Sequence, residues 1–142
     1  MATPTARLKR IRLLLIFFMG ALALSGLTAI PLQWEIGVIN SIAGPASALG
    51  TALPWLGQWI GLVHQGLLDS YGRYPFLAYG TDWLAFAHVI IAIAFIGPLR
   101  DPVRNIWVIE LGLIACALII PWTLVFGPLR GIPLFWMLID MS

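Results

Sequence analysis

The feature that most constrains this chain is a set of three apolar runs, each long enough to cross a lipid bilayer. The runs cover residues 13–32, 83–99 and 106–126, and the first two contain no Asp, Glu, Lys or Arg. A helix needs about 20 apolar residues to cross the hydrocarbon core. Only 10% of the 142 residues are charged and 61% are hydrophobic, which leaves too little charge to cover a water-exposed surface. We therefore predict an all-α integral membrane protein, formed as one membrane domain over residues 1–142, and exclude a soluble protein.

The first run follows a basic cluster, an arrangement typical both of a cleaved signal peptide and of an uncleaved signal anchor. A cleaved signal peptide has such an order, but its apolar core is usually shorter and its cleavage site prefers a small residue where this chain has Leu27. We favour an uncleaved signal anchor and keep the cleaved signal peptide as the alternative. The basic residues of the cluster are Arg7, Lys9, Arg10 and Arg12.

The basic residues also predict which side of the membrane each loop occupies. Cytoplasmic loops carry an excess of Lys and Arg, so residues 1–12 are expected in the cytoplasm, together with Arg100 and Arg104 between the second and third runs. Residues 33–82 then lie outside, and Arg130 marks the outer end of the third run. Residues 133–142 are too short to cross. We interpret them as the start of a truncated fourth span, with a half helix in the interface as the alternative.

The outer segment, residues 33–82, is predicted to contain helices that lie along the membrane. Gly44-Pro45, Gly50 and Pro54 break its apolar sequence. A short helix from Trp34 to Ala43 is followed by an amphipathic helix within residues 51–68, which we expect to rest on the membrane surface or on the spans. Its apolar stripe is Leu53, Leu56, Ile60, Val63 and Leu67, and Gln58, Gln65 and Asp69 lie opposite.

Two ionisable residues within the apolar segments are candidates for a buried pair. Such groups cost several kcal/mol in a bilayer unless they are paired. His88 lies shortly after Trp83 and Asp140 shortly after Pro133, which puts both at a similar depth below the outer boundary. We predict that His88 and Asp140 meet between two helices, where they either fix the packing or form a proton-relay or ligand site.

Other charged residues are expected at the membrane boundaries. Glu110 enters the third run near Arg100 and Arg104, and an interfacial ion pair there is expected to contribute little stability. Thr81 and Asp82 are expected to cap the second span. A further group forms an external cluster that either fixes the loop by a salt bridge or holds an anionic headgroup; its members are Asp69, Tyr71, Arg73, Tyr74 and Asp82.

Cofactor motifs are sparse in this sequence. His64 and His88 are the two histidines, so a b-type haem held by both is an alternative to the expectation of no cofactor. No CxxCH motif is present, and the single Cys116 forms neither an intramolecular disulfide nor a Cys/His zinc site. Nucleotide-binding and hydrolase motifs are absent as well. Because the basic residues cluster beside a span, we expect no nucleic-acid partner.

The tetrapeptide GPLR occurs twice, as Gly97–Arg100 and Gly127–Arg130. At each copy, Gly-Pro is expected to end a helix and Arg to meet the headgroups. Two independent solutions to the same hairpin problem explain the repetition, and an inverted repeat is the alternative.

Two stretches resemble an uncharacterised group of small bacterial multi-span membrane proteins. They are YPFLAYGTDWLAFAH at residues 74–88 and GPLRDPVRNIW at residues 97–107, and the resemblance covers about residues 71–140. The group has no assigned function, so the resemblance implies no role for any residue. It implies a bacterial inner-membrane location and a fuller fourth span beyond residue 142.

Three functions stay open. The first is a non-enzymatic accessory or scaffold protein in the lipid bilayer, as a homo-oligomer or within a larger membrane complex, because small residues such as Gly20 and Gly26 in the first run allow close helix contact. The second is a proton-linked or small-solute transport component that uses His88 and Asp140. The third is a b-type haem-binding membrane protein that uses His64 and His88.

Overall fold

The computed structural model describes residues 4–142, with side chains from Arg7 onward. These residues form eight α-helices and one 3₁₀ turn, with no β-strand among them, so the all-α prediction is confirmed. The elements are α1 (Pro4–Ala29), α2 (Leu32–Ala43), α3 (Ala48–Ala52), α4 (Pro54–Arg73), the 3₁₀ turn (Pro75–Leu77), α5 (Ala78–Ala94), α6 (Ile96–Arg100), α7 (Ile106–Leu129) and α8 (Leu134–Asp140).

Three segments of the described chain are long and apolar enough to cross a membrane. They are Arg7–Ala29, Pro75–Arg100 and Ile106–Leu129. Helix α4 is not one of them, although it has 20 residues. The protein is therefore an all-α membrane protein with three candidate spans.

The helix ends differ from the predicted ones at several places. Helix α5 begins at Ala78 rather than near Trp83, and α7 continues to Leu129 through Pro121, where an interruption is predicted. A proline removes one N–H donor without ending a membrane helix when nearby groups satisfy the freed carbonyl. Both Gly-Pro pairs of the GPLR repeat lie inside helices, Gly97-Pro98 in α6 and Gly127-Pro128 in the last turn of α7, and each helix ends one or two residues after the proline.

The chain divides into two compact units. One unit comprises the chain up to Leu15 together with Ala94–Ser142, and the other comprises Ile16–Ile93.

In the Ile16–Ile93 unit, α2, α3 and α4 pack against one another, with the 3₁₀ turn beside α4. Ile36 and Ala43 of α2 are buried, as is Ile60 of α4, of which only 2% is exposed. On α4, the predicted apolar positions Leu56, Val63 and Leu67 are half-buried. The polar positions Gln58, Gln65 and Asp69 are exposed, so α4 turns its apolar positions inward, whereas Leu53 of the predicted stripe lies before α4 and is exposed.

The connection from α2 to α4 is compact because it is rich in glycine. A Cβ atom on Gly57 would lie 2.9 Å from the Cα of Gly50, and one on Gly61 would lie 2.7 Å from Cγ of Pro45. Small residues allow helices to approach this closely. Ser47 starts α3, since its hydroxyl accepts a hydrogen bond from the N–H of Gly50 at 2.9 Å.

In the other unit, α6 and α8 pack on α7. Pro98 of α6, Val108 of α7 and Met137 of α8 are buried. The loop before α7 is held by Asp101, whose Oδ1 accepts hydrogen bonds from the N–H groups of Val103 at 3.1 Å and Arg104 at 3.0 Å. This pattern is typical of a turn closed by an aspartate side chain.

Candidate functional site

His88 lies in the middle of a candidate span and contacts α1. Its side chain is half-buried, and its Nδ1 lies 2.7 Å from the carbonyl oxygen of Leu84. Because a carbonyl only accepts, Nδ1 carries the proton and donates, which leaves Nε2 as the nitrogen able to accept a proton or bind a metal. A Cβ atom on Gly26 of α1 would lie 2.7 Å from the Cβ of His88. The histidine therefore lies where α1 and α5 approach closely.

His64 lies in a different pair of helices. It is half-buried on α4, and its Nε2 would be 3.7 Å from a Cβ atom on Gly37 of α2. The two histidines of the haem alternative thus contact different helices, α2 for His64 and α1 for His88. The structure also describes no group of three or more His, Cys, Asp or Glu residues that could hold a metal ion, within the part of the chain it covers.

Asp140, the predicted partner of His88, lies at the end of α8 in a groove against α7. The groove holds about 210 Å³ and is lined by Arg130, by Met137 and by the rings of Trp122 and Phe126, whose centroids are 4.4 Å apart and whose planes are tilted by 40°. Partial burial raises the pKa of the Asp140 carboxyl above its ordinary value. His88 and Asp140 belong to different compact units, and their pairing stays a prediction.

The predicted interfacial charges lie at the ends of the helices of their unit. The main-chain oxygen of Arg100 accepts a hydrogen bond from Nη2 of Arg12 at 3.3 Å. Arg104 follows in the loop that Asp101 closes, and Glu110 is exposed in the early part of α7. The contact between Arg12 and Arg100 brings two predicted cytoplasmic segments together.

The members of the predicted external cluster are distributed over several local environments. Asp69 accepts a hydrogen bond from Nε2 of Gln65 at 3.2 Å. Tyr71 lines a groove of about 490 Å³ with Trp34 and Gln33. The remaining members are Arg73, which is the last residue of α4, Tyr74, whose ring meets Phe76 edge-on at 6.1 Å, and Asp82 on α5.

Asp82 does not cap the second span. Helix α5 begins at Ala78, so Thr81 and Asp82 both lie inside it, and the Thr81 hydroxyl donates to the Ala78 carbonyl at 2.7 Å. The prediction of a cap at these two residues is wrong because the helix starts earlier than the apolar run does. Asp82 instead lines a groove together with Tyr79 and Trp83, a setting that the sequence did not predict.

The signal for this setting was present in the spacing of the residues. Tyr79, Trp83 and Phe86 follow one another at helical intervals, and residues so spaced share one face of a helix. Because the helix is predicted from the sequence to begin near Trp83, Tyr79 falls outside it. The sequence therefore did not predict that the three rings share one helix face.

Comparisons with known proteins found no relative of this chain. No protein-family model matches this chain, and no curated protein or solved structure does so either. The resemblance to a group of bacterial multi-span proteins stays a prediction.

Proposed function

We propose that this chain is a non-enzymatic accessory or scaffold component that associates through its spans with further copies of itself or with a larger membrane complex. One observation carries the proposal: only 6% of the most apolar window of α7 is buried within the chain. A span that packs so little on its own chain offers nearly all of its surface to lipid or to another protein.

The proposal places the protein in a bacterial inner membrane with its N-terminus in the cytoplasm. The hydrogen bond from Arg12 to the Arg100 carbonyl supports this orientation, since it joins the basic N-terminal cluster to the basic loop that precedes α7. Excess Lys and Arg are typical of cytoplasmic loops. The basic residues near two spans then lie on one side, as that rule requires.

Cysteine cross-linking along α7 tests the association. Cys116 is exposed on α7, and in a Cys116→Ser background single cysteines are placed in turn at residues 113–120. Oxidation in native membranes is expected to give cross-linked species at positions that recur with helical spacing, because one face of α7 meets the partner. The starting Cys116→Ser protein is the control. Absence of cross-linked species at every position would contradict the proposal.

A second candidate is a proton-linked or small-solute transport component that uses His88 and Asp140. The half-buried His88 on a candidate span favours it, because Nε2 is left able to exchange a proton. In proteoliposomes, His88→Gln would then abolish proton flux while helix content stays unchanged. Unchanged flux in this variant would exclude the transport candidate.

The haem alternative, with His64 and His88 as the two ligands, stays a prediction. It is tested by the absorption spectrum of the purified protein after haem is added. A Soret band that is lost in both His64→Ala and His88→Ala would restore this alternative.

A further inference from the structure

Asp82 belongs to two adjoining grooves of different character. An aromatic groove of about 250 Å³ is lined by Tyr79, Asp82, Trp83 and Phe86. An aliphatic groove of about 330 Å³ runs between α5 and the end of α1, and its lining residues are Leu27, Ile30, Asp82, Ala85, Phe86 and Val89. Asp82 and Phe86 line both grooves, so the two grooves share a wall.

The rings of the aromatic groove have an arrangement that suits a cation. Trp83 meets Tyr79 at a centroid distance of 5.9 Å and Phe86 at 5.6 Å, with the ring planes at 86° and 84°. Each of the three side chains is at least 55% exposed. Exposed aromatic faces attract cations, and Trp does so most strongly.

The Asp82 carboxylate adds a negative charge to both grooves. Among the described residues that line them there is no Lys or Arg side chain to neutralise it. Asp82 also lies in the first third of the candidate span Pro75–Arg100. The pair of grooves therefore combines a negative charge with an apolar groove next to it.

We propose that these two grooves bind a phospholipid whose headgroup ends in a primary ammonium, as in phosphatidylethanolamine. The ammonium N–H groups donate to the Asp82 carboxylate and lie against Trp83. An acyl chain of the same lipid follows the aliphatic groove past Ala85 and Val89. A lipid without an ammonium, such as phosphatidylglycerol, would bring an anionic phosphate beside the carboxylate with no compensating contact.

Native mass spectrometry of the detergent-purified protein tests this lipid preference. The protein is titrated with dioleoyl-phosphatidylethanolamine or with dioleoyl-phosphatidylglycerol, which share their acyl chains. We expect about tenfold stronger retention of the ethanolamine lipid, the size expected for one charge-assisted hydrogen bond. Equal retention of the two lipids by the unmodified protein would overturn the proposal.

Single substitutions test which residues cause the preference for the ethanolamine lipid. Asp82→Asn keeps the shape of the side chain and removes its charge, so the preference is expected to disappear. Trp83→Leu keeps the carboxylate and is expected to reduce the preference by a few-fold. Asp69→Asn is the matched control, because Asp69 is an exposed acid on α4 that lines neither groove and bonds to Gln65.

Two results with these variants would overturn the proposal. One is a full preference for the ethanolamine lipid in Asp82→Asn, and the other is an equal loss of preference in Asp69→Asn. If Asp82→Asn fails to fold, judged by its helix content, the unmodified protein and Trp83→Leu decide the outcome.

Discussion

Gly26 shows how a single missing side chain determines where two spans meet. A Cβ atom there would lie 2.7 Å from the Cβ of His88 and 2.9 Å from the carbonyl oxygen of Ala85. Atoms at such distances overlap, so a side chain at residue 26 would force α1 and α5 apart. Gly20, on the same helix, has no such neighbour within 4 Å. The two glycines therefore provide a matched pair for a test.

We predict that Gly26→Ala destabilises the protein and Gly20→Ala does not. Overpacking at residue 26 is expected to lower the free energy of unfolding by about 1–3 kcal/mol. At residue 20 an alanine is expected to raise it by about 0.5–1 kcal/mol through helix propensity. Both are measured by denaturant titration in detergent, followed by circular dichroism. Equal effects of the two substitutions would show that the α1–α5 contact is not close.

At this scale the sequence predicted which residues are unusual but not what they contact. His88 is recognisable as an ionisable residue in an apolar run, yet its approach to Gly26 depends on how α1 and α5 cross. Small residues in the first run indicate that some close contact occurs, but five of them are present between residues 20 and 26. Sequence patterns do not decide which one meets the neighbouring helix.

The end of α7 is a helix terminus whose geometry depends on one residue. The N–H of Ile132 bonds to the carbonyl of Gly127 at 2.9 Å, and the N–H of Gly131 bonds to that of Pro128 at 3.2 Å. These two bonds form a Schellman motif, in which the residue after the cap is left-handed. Gly131 has a φ of 69°, as the motif requires. The turn that directs the chain into α8 therefore depends on a glycine.

We predict that Gly131→Ala costs about 1–2 kcal/mol of unfolding free energy, because a Cβ atom is strained at this φ. Gly131→Asn is expected to be less harmful, since asparagine tolerates the left-handed conformation better. Thermal unfolding measures both. Gly66→Ala is the control, as Gly66 lies within α4 with no atom near its Cβ position. A Gly131→Ala protein as stable as this control would contradict the prediction.

At the scale of the helix, the sequence predicted the presence of the three spans better than the residues at which their helices begin and end. Apolar runs locate the three spans because lipid requires hydrophobic length, whatever the neighbouring residues are. The ends were less accurate: α5 starts at Ala78, before the apolar run begins, and the Thr81 hydroxyl bonds back to the Ala78 carbonyl within the helix instead of capping it. Pro121 did not end α7, because a proline is tolerated within a membrane helix where neighbouring groups satisfy the freed carbonyl.

The orientation of the whole molecule rests on a few charged residues. The prediction places residues 33–82 on the side opposite to the N-terminus, and α4 is not among the candidate spans. If α4 crossed the membrane, the loop with Arg100 and Arg104 would move to the outer side. The sequence shows the three apolar spans and the uneven distribution of the basic residues. The side of the membrane on which each loop lies is predicted from that distribution and is tested by labelling.

Labelling from each side of the membrane provides that measurement. In a Cys116→Ser background, single cysteines replace Gln58, Gln65 or Arg73, which are all exposed. An impermeant maleimide added from outside is expected to label all three in intact cells. A cysteine at Val103, which is 76% exposed in the loop before α7, is the control and should be labelled only after permeabilisation. Labelling of Val103 and of Gln58 from the same side would contradict the predicted topology.

The hydrogen bond between Arg12 and the Arg100 carbonyl has a consequence for biogenesis. The two residues are 88 positions apart, so the acceptor is still untranslated when the first span leaves the ribosome. The contact therefore forms only after the segment Pro75–Arg100 has been synthesised, so it holds α1 in the complete chain and cannot guide the insertion of the first span.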